Sequence, residues 1–98
     1  MAIGVLSEIR GLTAEMYDTV NEKANVESDP PAGLIVHTAG PMDGGFRIFD
    51  VWETQEDHER FETARLGPAI AEMSKEFEGA PTDPPNRSLY ELHSFLQS

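Results

Sequence analysis

Residues 33–54, GLIVHTAGPMDGGFRIFDVWET, constrain the fold more than any other stretch of this sequence. A β-branched, apolar run from Leu34 to Thr38 and a second from Phe46 to Trp52 flank Asp43-Gly44. Asp-Gly between two such runs is a strong hairpin signal, because a type I′ turn needs positive φ at both central residues. With Asp43 and Gly44 as the loop, Met42 faces Gly45. Pairing back down the ladder sets Ala39 against Ile48, His37 against Asp50 and Ile35 against Trp52. A four-residue loop from Met42 to Gly45 gives the same register. One face of the hairpin then carries a cross-strand His-Asp pair beside a tryptophan.

The rest of the chain supplies matching elements. Residues 2–10 alternate as a strand, with Ile3, Val5, Ser7 and Ile9 on one side. Gly11 breaks it, and Thr13 is placed to cap a helix running to about Ala24, with Met16, Tyr17, Val20 and Ala24 on one face. Pro30-Pro31 exclude helix before the hairpin. Thr54-Gln-Glu-Asp57 forms a capping box for a second helical region, whose buried side is Phe61, Leu66, Ile70, Met73 and Phe77. Gly67-Pro68 predicts a kink or restart there, and Gly79 an end. After a second Pro-rich loop, Ser88 to Gln97 alternates as a last strand.

The order strand-helix-strand-strand-helix-strand, without uniformly apolar strands, excludes a doubly wound parallel sheet. It predicts an α+β, ferredoxin-like βαββαβ domain over residues 1–98, with an antiparallel sheet in the order 4-1-3-2. Both helices must cover one sheet face. Leu34, Val36, Phe49, Val51, Tyr90 and Leu92 are assigned to it. The other face then holds Ile35, His37, Ile48, Asp50, Trp52, Leu89, Glu91, His93 and Phe95. That face is too apolar for water, which predicts a homodimer packed sheet to sheet around a polar-lined pocket.

Composition narrows the partners. The 98 residues include 18 acidic and 7 basic ones, a formal charge of −11, which disfavours nucleic acid and anionic membranes. There is no cysteine, hence no disulfide framework, thiolate nucleophile or zinc-cysteine site. The N-terminus lacks a basic region before its apolar run, and no run approaches a membrane span. A cytoplasmic protein is expected.

The segments GLIVHTAGP, GGFRIFDVWET and RFETARLGPAI, with the closing LHSFL, resemble small proteins of the dimeric α/β-barrel superfamily, antibiotic biosynthesis monooxygenase-like. The resemblance covers most of the chain. It implies a ferredoxin-like subunit, a homodimer and a ligand cavity. Members of that superfamily include cofactor-free oxygenases of polyketide quinols, haem-degrading enzymes and cyclases, and fold does not select among them. The haem-degrading pattern has an Asn on the first strand, and a Trp and a ligating His on the second helix. Here the first strand has no Asn and the second helix has His58 but no Trp.

His37 and Asp50 are the candidate catalytic residues. A carboxylate accepting from imidazole fixes its tautomer and raises its pKa, giving a base usable near neutral pH. Trp52, Ile35, Ile48 and Phe95 are candidate walls of an apolar substrate pocket, and His93 shares their face. A small aromatic or polyketide-like ligand is expected, with neither metal nor other cofactor. Within one subunit His37 and His93 would sit on opposite edge strands about 14 Å apart, and no HxH or HxxxH spacing exists. His58, among acidic neighbours, reads as a surface residue, and Tyr17 as core packing. A second reading stays open: a non-catalytic dimeric module binding a ligand or protein, with His37-Asp50 as a structural hydrogen bond.

Overall fold

A computed structural model describes residues 2–96. Its elements are β1 (Ile3–Arg10), α1 (Ala14–Ala24), β2 (Leu34–Met42), β3 (Gly45–Trp52), α2 (Gln55–Phe61), a π-turn (Glu62–Leu66), α3 (Gly67–Glu76) and β4 (Asn86–Glu91). The strands form one antiparallel sheet in the order β2-β3-β1-β4, the predicted ferredoxin-like topology.

Local chemistry sets the boundaries. Thr13 Oγ1 accepts from Met16 N at 3.2 Å and Thr54 Oγ1 from Asp57 N at 3.1 Å, so both predicted caps form. Pro68 has no N–H to offer Ala64, and its ring would crowd that carbonyl. The helix widens instead, and Gly67 N donates to Glu62 O, the i→i−5 bond of a π-turn. The interruption expected at Gly67-Pro68 is this turn. The helix ends at Glu76, before Gly79.

The hairpin register is the predicted one over most of its length: Met42 pairs with Gly45, Ala39 with Ile48 and His37 with Asp50. The turn differs in type. Gly44 has φ 75° while Asp43 stays at negative φ, so only the second central residue is left-handed, as in a type II rather than a type I′ turn. At the far end Leu34, not Ile35, pairs with Trp52, because Ile35 is an extra residue forming a bulge.

The helices cover the opposite sheet face from the one expected. Val5, Ser7 and Ile9 of β1, Ile48, Asp50 and Trp52 of β3, and Leu34 and His37 of β2 share the covered side, where they line one cavity with α1 and α3. Of the residues assigned to the helices, only Leu34 lies there, carried over by the bulge. Val36, Phe49, Val51, Tyr90 and Leu92 lie on the open face. An ideal Cβ on Gly4 would meet Leu92, Phe49 and Tyr90 side chains at 3.1–3.2 Å. The assignment inverts because the covered face keeps polar groups around a cavity, whereas a hydrophobicity count sends them outward.

Two core clusters lie under the helices. The larger includes Leu12, Met16, Val20, Phe46 and Met73; the smaller is Ile3, Val5 and Trp52, with Leu34 and Phe61 packed against both.

Candidate functional site

The cavity between the covered sheet face and the helices has a volume of about 150 Å³. Its walls are mainly apolar, from Val5, Ile48, Phe61, Leu66 and Met73 among others. Volume and lining match a space that holds one aromatic ring.

One polar group on its wall is a three-residue chain. Hairpin register puts His37 and Asp50 side by side, with Nδ1 and Oδ1 at 2.6 Å. Tyr17 reaches them from α1, its hydroxyl 2.5 Å from His37 Nε2, while its ring stacks on Phe46 at 5.2 Å. Since Asp50 accepts, Nδ1 carries the proton. Nε2 then accepts from the Tyr17 hydroxyl. The Asp50 hydrogen bond raises the His37 pKa against the opposing effect of burial. Burial, reinforced by the charges of Asp50, Asp18 and Glu27, pushes the Tyr17 phenol up to about 12.

A second group behaves oppositely. His58, on α2, is buried at 4% exposure, its ring 5.5 Å from that of Trp52. The Glu62 carboxylate touches His58 Nε2 without hydrogen-bond alignment, and both imidazole nitrogens and Trp52 Nε1 are sealed in without a hydrogen-bond partner. Burial lowers the His58 pKa, with Glu62 opposing and Arg87 assisting. Glu62 is held by Arg87 Nη1, and Arg87 Nε donates to Ser7 Oγ at 3.0 Å.

Of the expected site residues, His37, Asp50, Ile48 and Trp52 come together around the cavity. Ile35 does not line it, since the bulge takes its position in the ladder. His93 and Phe95 do not join them either. β4 stops at Glu91, since β1 begins at Ile3 and offers no strand to pair further, and His93 and Phe95 are exposed. Gln97, the end of the expected strand, lies outside the described residues. His58, read as a surface residue, is buried, and Tyr17 carries a polar contact beyond packing. The helical stripe could have found His58, which precedes Phe61 by three positions; it does place Tyr17 beside Met16 and Val20 but carries no signal for the partner of its hydroxyl. Among the described residues no three His, Cys, Asp or Glu side chains converge as a metal site would require.

No family model and no curated protein matches this chain. Solved structures do, and they share the fold of antibiotic biosynthesis monooxygenase-like proteins. A candidate antibiotic biosynthesis monooxygenase from Caulobacter crescentus superposes with TM-score 0.73 at 14% identity, over 95% of this chain and 91% of that one. SnoaB, a cofactor-independent oxygenase from Streptomyces nogalater, gives 0.63 at 13% identity, over 99% and 97%. Rv0793 from Mycobacterium tuberculosis gives 0.70 at 7% identity, over 99% and 100%. No described helix is long and apolar enough to cross a membrane.

Proposed function

We propose that the chain is a small-molecule enzyme of the cofactor-free monooxygenase type, acting on a hydroxylated aromatic compound held in the cavity. The His37–Asp50 pair on the wall of an apolar, ring-sized cavity carries this reading. Asp50 orients His37 and stabilises its imidazolium, so His37 serves as the base that turns the ligand hydroxyl into an oxyanion. That electron-rich anion is the species that reacts with molecular oxygen, in walls that keep water away. The likeness to SnoaB supports the reaction type.

Oxygen uptake with a panel of single-ring phenols and hydroquinones tests it. His37→Gln should lower uptake by about 10²–10⁴-fold. Equal uptake by wild type and variant would sink the base assignment.

A homodimer formed through the open sheet face accompanies this reading. Val36, Phe49, Tyr90 and Leu92 make that face apolar, and Tyr90 is 49% exposed in the single chain. Phe49→Asp should give a monomer by sedimentation. Trp52, only 1% exposed beneath the helices, lies away from that surface.

A further inference from the structure

We infer that Tyr17, rather than His37, is the group that touches the ligand, and that its hydroxyl relays the ligand's proton to His37. The inference rests on the reading of His37 as base and names the atom through which it acts.

The geometry leaves little alternative. His37 has two ring nitrogens, and both are occupied: Nδ1 by Asp50 at 2.6 Å and Nε2 by the Tyr17 hydroxyl at 2.5 Å. No lone pair on the imidazole faces the cavity while those contacts stand. Tyr17 lines the cavity and its oxygen keeps acceptor capacity after donating to Nε2. A ligand hydroxyl can therefore donate to Tyr17 Oη. As its proton passes to that oxygen, the Tyr17 proton passes to Nε2. The products are a ligand oxyanion, an intact Tyr17 phenol and an imidazolium bonded to Asp50. Tyr17 never becomes a free phenolate, which suits a phenol whose burial resists ionisation. The relay selects a ligand with an acidic hydroxyl on a ring small enough for a cavity of about 150 Å³.

The probe is 3-nitrophenol, a weaker acid whose anion is coloured, buffered on the acidic side of its free ionisation yet alkaline to the His37 titration, so that Nε2 starts unprotonated. Calorimetry follows binding and absorbance follows ionisation. Wild type should bind it as the anion. Tyr17→Phe should lower the ionised fraction of the bound probe about tenfold, whatever the loss in affinity, since a hydroxyl-sized gap separates ligand from Nε2. His37→Gln should do the same with Tyr17 present. If Tyr17→Phe ionises the probe as well as wild type does, the relay is overturned while His37 survives as a direct base. If wild type binds without ionising it, or does not bind it, the relay and the base assignment fall together. The His37 Nε2 nitrogen resonance separates a folded variant from a damaged one: in Tyr17→Phe without ligand it should lose its hydrogen-bond shift while Nδ1 keeps its own. An unchanged Nε2 resonance would also overturn the relay.

Discussion

His37 and His58 line one cavity and are driven in opposite directions. His37 sits on a strand between two hydrogen-bonding partners, and its charged form is favoured. His58 sits on a helix against Trp52, with neither nitrogen satisfied, and its neutral form is favoured. Both lie near carboxylates, so proximity of charge does not separate them. Alignment does: Asp50 is hydrogen-bonded to His37 Nδ1, whereas Glu62 touches His58 with one oxygen outside hydrogen-bond geometry and gives the other to Arg87. A carboxylate beside a histidine makes a base only when the donor points at it.

Removing Trp52 should break the contrast most severely. Trp52→Ala should cost about 3–5 kcal/mol in urea unfolding, because the side chain is sealed in the core. It should also hydrate His58 and let its pKa return upward, which a proton NMR titration would register. A His58 titration that does not move would mean that Trp52 is not what keeps it dry.

Smaller changes sharpen the comparison. His37→Leu strands the Asp50 carboxylate and the Tyr17 hydroxyl and should cost about 1–3 kcal/mol. His58→Phe removes two unsatisfied nitrogens and leaves Glu62 with Arg87, so stability should stay within about 1 kcal/mol, on the stabilising side. A larger loss at His58 than at His37 would show that the orphaned nitrogens have partners.

The titrations predict a pH signature. The stabilisation from His37 is complete below its unfolded value of ~6.5 and is lost as pH rises through its raised folded value. That from His58 is present above ~6.5 and lost as pH falls through its lowered value. Together they favour a stability maximum near pH ~6.5. His37→Leu should flatten the alkaline side and His58→Phe the acidic side in denaturation series across pH. Unchanged flanks would remove the two histidines from the pH dependence.

Asp50→Asn gives the most local effect. It should lower the His37 pKa clearly and the His58 pKa slightly, since Asp50 acts on His58 only as a weak through-space charge. Equal shifts would mean that alignment does not matter.

Much of this site was legible in the sequence because a tight turn counts residues. Asp43-Gly44 set His37 opposite Asp50 even though the turn type was misjudged, since register follows loop length. The face was not legible from the hairpin, which has apolar residues on both sides. β1 held the missing signal: Ile3, Val5 and Ile9 share one side, while Glu8 and Arg10 share the other with Leu6. The burial of His58 was not legible because a polar residue among acidic neighbours on a helix is ordinarily solvated, and the contact of Tyr17 with His37 was not legible because core packing accounts for a tyrosine on a buried stripe without its hydroxyl.

Ile35 has a consequence for how such a chain can change over generations. It is the one strand residue of the hairpin without an opposite number. Losing its codon would join Leu34 to Val36 and leave a plain ladder, with Leu34 still across from Trp52 and His37 still across from Asp50. The strand therefore contains a seam at which length can vary by one while the chemistry above it stays in place.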